Sequence, residues 1–128
     1  MQLLLDTHAL LWFFSNDGRL PETTRSKIKD KDNNCIISIA SLWETVIKLD
    51  TGKLQINISF AELLRLIEQE DIKILSVSPA HLLELQKLEN HHKDPFDRMI
   101  IAQAKDENLT FITKDENFRN YKIKILWA

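Results

Sequence analysis

Short apolar runs alternating with helical signals constrain this chain more than any other feature. Leu3–Leu5, Cys35–Ile37, Ile72–Val77, Leu109–Thr113 and Ile123–Trp127 are dominated by large apolar side chains, and none exceeds six residues. Runs that short suit strands, whereas helices need roughly 10–12 residues. Between them lie helix punctuators. Ala9 to Phe14 is a short apolar helix closed by the turn signal Asn16-Asp17-Gly18, and Pro21-Glu22-Thr23 opens a polar helix to about Lys29. Ser38 or Ser41 starts a helix to about Leu49 that ends near Gly52, and Ser59 caps one from Phe60 to about Glu70. Pro79 begins another, with Leu82, Leu85 and Leu88 at spacings of three, and Asp94-Pro95 begins the last long one. Strands that alternate with helices predict an α/β fold, a three-layer α/β/α sandwich with a mainly parallel central sheet. At 128 residues the chain suits one domain, spanning 1–128.

Such sheets bind ligands beyond the carboxyl ends of their strands. Asp6 follows the first run directly, and Asp115 lies just past Leu109–Thr113. Two further acids stand on apolar helical stripes. Asp97, Ile100, Ile101 and Ala104 fall at i, i+3, i+4, i+7, and Ala40, Trp43, Glu44 and Ile47 share one line. A carboxylate at the head of a core-facing stripe needs a partner, because burying an unpaired charge is costly.

Taken singly, each acid has an ordinary explanation. Asp6 caps the helix after it, Asp115 caps the turn from Glu116 to Tyr121, and Glu44 pairs with Lys48 at i+4 on an exposed face. Asp94, followed by Pro95, is a cap. Together these explanations weaken. Two carboxylates ~4 Å apart repel by about 4 kcal/mol at an effective dielectric of 20, so four in one place require compensation. Hard divalent cations with oxygen ligands supply it, and an all-carboxylate set favours Mg2+ or Mn2+ over Zn2+.

Other chemistries lack their parts. His91-His92 is a poor metal pair, because adjacent side chains point apart and no third nitrogen or thiolate lies near; a solvated loop is expected. His8 and His81 have no Gly-x-Ser-x-Gly elbow to serve. With only Gly18 and Gly52 there is no glycine-rich phosphate loop. Trp12, Trp43 and Trp127 lie on apolar stretches and are expected in the core. Arg98 and Lys114 flank two of the acids, and contact with phosphates and solvated surface cations are both open for them.

No apolar run approaches the ~20 residues of a membrane span. Met1-Gln2-Leu3-Leu4-Leu5-Asp6 lacks a basic leader region, and Cys35 has no disulfide partner, so a cytoplasmic protein is expected. Net charge is −2, from 17 basic and 19 acidic residues. With four acids engaged by metal the rest of the chain is on the positive side of neutral, so a polyanionic substrate is compatible with this balance.

Four blocks in order carry a family resemblance: Asp6-Thr7-His8-Ala9-Leu10-Leu11-Trp12; Ser38-Ile39-Ala40-Ser41-Leu42-Trp43-Glu44; Asp94-Pro95-Phe96-Asp97-Arg98-Met99-Ile100-Ile101-Ala102-Gln103-Ala104; and Thr113-Lys114-Asp115-Glu116-Asn117-Phe118. Together they resemble the PIN-domain nucleases, and within them the VapC-type toxins of type II toxin–antitoxin pairs. The resemblance covers nearly the whole chain. It implies an Mg2+- or Mn2+-dependent ribonuclease whose catalytic, metal-binding acids are Asp6, Glu44, Asp97 and Asp115. It also implies support from the Thr113 hydroxyl, with Asp94 open between cap and support of the site. An RNA substrate, a small cognate antitoxin and homodimerisation are implied too. Two alternatives come from other classes: a catalytically silent RNA- or protein-binding module, and an Asp6-nucleophile phosphotransfer enzyme. The second would want an Asp where His8 stands.

Overall fold

A computed structural model describes residues 1–128. Five strands form one sheet in the order β3-β2-β1-β4-β5, where β1 is Gln2–Leu5, β2 Asn34–Ser38, β3 Lys73–Leu75, β4 Thr110–Ile112 and β5 Lys124–Leu126. Every pairing is parallel. Six helices connect them: α1 Thr7–Phe14, α2 Glu22–Lys29, α3 Ile39–Asp50, α4 Phe60–Gln69, α5 Pro79–Lys87 and α6 Pro95–Asp106. A short 3-10 helix, Glu116–Asn120, follows β4. The expected sandwich is the observed one.

Strand β1 shows why three layers form. Leu3, Leu4 and Leu5 are all fully buried, which stabilises the fold by roughly 1.5–3 kcal/mol per side chain. Successive side chains leave a strand on opposite faces. Leu3 and Leu5 accordingly pack with Leu10, Phe13, Leu63 and Ile67 of α1 and α4. Leu4 packs on the other side with Ile100, Ile101 and Ala104 of α6, so the stripe headed by Asp97 is core-facing as expected.

Both neighbours of β1 are long-range partners. The chain first moves outward through β2 and β3, then returns to place β4 and β5 on the opposite flank of β1. The order therefore reverses between β1 and β4, and at such a switch point the connections leave a crevice at the carboxyl ends. Asp6 ends β1 there, its backbone N–H donating to the Ile112 carbonyl at 2.9 Å.

Local details depart from the sequence pattern in three places. Strands β3, β4 and β5 are three residues each, shorter than the apolar runs that contain them. In α5 the leucines do not form the buried face. Leu82 is 52% exposed, and the buried helical residue is His81, while Leu88 packs beyond the helix end. In α3 the expected single stripe splits into two. Ala40 and Glu44 point inward, but Trp43 is 64% exposed and Ile47 is also on the surface. Ile39, Trp43 and Ile47 are spaced by four, so they share a stripe of their own on the side away from the sheet. Trp43 is thus not a core residue; it packs at right angles to Phe96, with ring centroids 5.2 Å apart.

Candidate active site

The crevice at the switch point is a cleft of about 340 Å3, lined by Asp6, Glu44, Asp94, Asp97 and Asp115 together with Lys48, Lys114, His8, Trp12 and Trp127. All four acids singled out by the sequence are in it, and so is Asp94. Trp12 and Trp127, expected in the core, are half-buried and pack edge to face at the cleft wall.

Each acid is held by its element. Asp6 occupies the N-cap position of α1, yet its side chain makes no capping hydrogen bond. Its Oδ2 instead accepts from the Thr113 hydroxyl at 2.6 Å. The capping explanation fails for Asp6 because a buried hydroxyl on the adjacent strand end competes for the carboxylate. Thr113 Oγ1 also accepts from the Asp115 N–H at 3.1 Å, so one side chain links the acids that follow β1 and β4. Asp115 is a cap as well as a cleft residue: its Oδ1 accepts from the Asn117 N–H at 2.9 Å. Asp94 caps α6, accepting from Phe96 N at 2.8 Å and Asp97 N at 3.1 Å. It remains close enough to act electrostatically on Asp97.

Glu44, 6% exposed, accepts from Thr7 Oγ1 at 3.1 Å and pairs with Lys48 Nζ at 3.0 Å. Core-facing placement and the i+4 ion pair were alternatives in the sequence. Both hold, because the long aliphatic stem of Lys48 lets its ammonium reach in from the rim. Thr7 had no sequence signal beyond following Asp6.

The electrostatics record the crowding. Burial, followed by the charges of Asp94, Glu44, Asp6 and Asp115, pushes the Asp97 carboxyl up to about 7. That shift overrides the favourable position in the first turn of α6, where a helix N-terminus normally favours an anion. Burial likewise raises Asp6, against the hydrogen bond from Thr113 and the nearby His8, which pull it down, while Glu44 adds to the rise.

These donors fit a hard divalent ion. They are all carboxylate oxygens, and their mutual repulsion is what a cation relieves. No three of them bring ligand oxygens within 4.8 Å of one another; His81, Asp106 and Glu107 are the one set of side chains that does. An ion in the cleft therefore suits partial hydration, which Mg2+ readily keeps. The tighter set is a structural pin between α5 and α6. His81 Nδ1 accepts from the Ser78 N–H at 3.0 Å, which puts the ring proton on Nε2, 2.6 Å from Glu107 Oε2. A neutral imidazole arranged that way has no lone pair left for a metal.

Two flanking residues take other roles than the sequence left open or expected. The Arg98 guanidinium donates to the carbonyls of Glu89 at 3.1 Å and His92 at 3.3 Å, so it fastens the preceding loop instead of facing the cleft. His92 is not solvated: its side chain is only 10% exposed and its Nε2 lies 4.0 Å from Asp115 Oδ2. His91 alone matches the expected exposed loop.

A family comparison matches residues 3–124 to the PIN domain. The chain belongs to the PIN domain family. PIN domains are typically nucleases, and the family uses divalent metal ions. No curated protein matches the sequence significantly. Solved structures share the PIN fold at low identity. VapBC2 from Rickettsia felis bound to a promoter DNA fragment has a TM-score of 0.76 at 17% identity, covering 100% of both chains. VapBC-1 from nontypeable Haemophilus influenzae has a TM-score of 0.70 at 20% identity, over 98% of this chain and 97% of its own. VapBC-5 from Mycobacterium tuberculosis, a member of the VapBC family of toxin–antitoxin systems, has a TM-score of 0.63 at 20% identity, over 99% and 98%. No helix of this PIN domain is long and apolar enough to cross a membrane.

Proposed function

We propose that this chain is a single PIN-like domain acting as an Mg2+- or Mn2+-dependent endoribonuclease, the toxin of a toxin–antitoxin pair. The observation that carries the proposal is the convergence of Asp6, Glu44, Asp97 and Asp115 on one cleft, with Asp97 held up to about 7 by burial and the surrounding acids. Asp6 and Asp97 are the principal ligands, and Glu44 and Asp115 complete the site directly or through water. When bound, the ion lowers the pKa of a water molecule and stabilises the charge that develops on the phosphodiester. Thr113 fixes the rotamer of Asp6 through its 2.6 Å hydrogen bond. Lys114, exposed at the rim, meets substrate phosphates, and Lys48 balances the Glu44 charge from the same wall.

The toxin reading draws on the VapBC neighbours and on fold coverage over nearly the whole chain. It brings a cognate antitoxin, a homodimer and a cytoplasmic location. The exposed stripe of Ile39, Trp43 and Ile47 offers apolar surface for a second copy.

The test is cleavage of total tRNA and rRNA by the purified protein in Mg2+, Mn2+ or EDTA. Cleavage that needs the ion and is lost in Asp6→Asn and Asp97→Asn is the expected result. Undiminished cleavage by either variant sinks the assignment. RNA binding that survives EDTA, with no products, would instead identify a silent module.

A further inference from the structure

We propose that His92 is a positioning residue for Asp115, holding its Oδ2 in the cleft through a hydrogen bond from Nε2–H. The proposal rests on the metal-site reading of the cleft and deepens it. His92 lies in the connection between α5 and α6, and three neighbours hold it, two at the ring and one at the backbone carbonyl. Phe118 stacks on it with ring centroids 4.6 Å apart and planes 15° from parallel. Tyr121 Oη is 3.2 Å from Nδ1, and the Arg98 guanidinium holds the His92 carbonyl at 3.3 Å.

That leaves one atom unexplained. His92 Nε2 is buried and has no hydrogen-bond partner, and the Asp115 Oδ2 carboxylate oxygen lies 4.0 Å from it. A buried polar nitrogen without a partner is destabilising, so its retention wants a reason. The Asp115 carboxylate on that side favours the tautomer that carries the ring proton on Nε2, and the Tyr121 hydroxyl, able to donate as well as accept, is compatible with it by donating to Nδ1. Asp115 is otherwise held from its far side, with Oδ1 on Asn117 N and its own N–H on Thr113. Oδ2 is the oxygen left free to bind an ion or its water. A closure of about 1 Å would make the His92 bond and fix the direction of that oxygen. Ligating carboxylates are oriented by such outer partners, whose removal typically weakens metal binding about 10–100-fold.

A stacking filler and a positioning residue differ in what a phenyl ring can replace. His92→Phe keeps the stack on Phe118 and loses the donor; His92→Gln keeps an N–H donor and loses the ring. Mn2+ affinity is measured by titration calorimetry, with the thermal midpoint in EDTA recorded beside it. The expected result is Mn2+ binding weakened about tenfold in His92→Phe. His92→Gln should recover most of it, and His92→Phe should add nothing in an Asp115→Asn background. Wild-type Mn2+ affinity in His92→Phe overturns the proposal, as does a loss of equal size in the Asp115→Asn background. Should His92→Phe not fold, His92→Leu serves, because it keeps apolar bulk against Phe118 and loses the donor; unchanged Mn2+ affinity there is equally fatal. No Mn2+ binding by the wild-type protein overturns the metal reading itself, a result distinct from normal binding with indifferent variants.

Discussion

Asp97→Asn should stabilise this protein in the absence of metal while abolishing its activity. The Asp97 carboxyl is raised to about 7 by burial and by four neighbouring acids, and it makes no hydrogen bond of its own that an amide would lose. In the unfolded chain the group ionises near pH ~4. Between those values the folded state holds a proton that the unfolded state has released. Stability in EDTA therefore falls as pH rises from about 4 to about 7, and is flat above that. At ~1.4 kcal/mol per pH unit the full effect is roughly 4 kcal/mol, and water entering the open cleft reduces it to about 2 kcal/mol. For a domain of this size that corresponds to a midpoint higher by roughly 5–10 °C for Asp97→Asn at pH 8, with a smaller gain at pH 5.

Urea and thermal unfolding of both proteins in EDTA across pH 5 to 8 measure the difference. The raised Asp6 carboxyl works in the same direction, and because the two acids repel each other, Asp97→Asn also relieves Asp6, which adds to the expected gain of the variant. Saturating Mn2+ should then reverse the order, since ~100 times the dissociation constant stabilises the wild type by about 2.7 kcal/mol. Parallel stability curves in EDTA, or a variant less stable than wild type at pH 8, would refute the reasoning.

Three other perturbations have defined outcomes. Thr113→Val removes a hydroxyl that bonds both Asp6 and the Asp115 N–H, and should cost roughly 2–3 kcal/mol in urea unfolding, while Thr113→Ser should cost much less. Asp94→Ala should cost about 1 kcal/mol through the lost cap, with Asp94→Ser restoring most of it. The same Asp94→Ala change removes the largest charge contribution at Asp97, whose titration, followed by carbon-13 NMR, should move to lower pH. Trp43→Glu should lower monomer stability by no more than about 1 kcal/mol, since the ring is 64% exposed and its aromatic pairing is a T-shaped one with Phe96. In sedimentation velocity it should shift the proposed dimer to monomer.

The strand runs, the caps at Ser38, Ser59 and Asp94, and the alternation that makes an α/β sandwich were legible in the sequence because they depend on neighbours within a few residues. The acids were legible as anomalies: Asp97 because it heads a core-facing stripe, Asp6 and Asp115 because they follow apolar strands. The α3 and α5 stripes were not read correctly. A leucine or tryptophan at helical spacing specifies a face, but which face meets the sheet depends on the crossing of the whole helix.

The sequence by itself determined the layers and supplied the carboxylates, since both follow from local periodicity and residue chemistry. Only the tertiary structure decided that β4 returns beside β1, and this brings Thr113 onto Asp6 across 107 residues of chain. The same return decided that His92 lies beside Asp115. Hydrogen bonds and charges act over a few ångströms of space, and separation along the chain does not reveal which side chains the fold will bring that close.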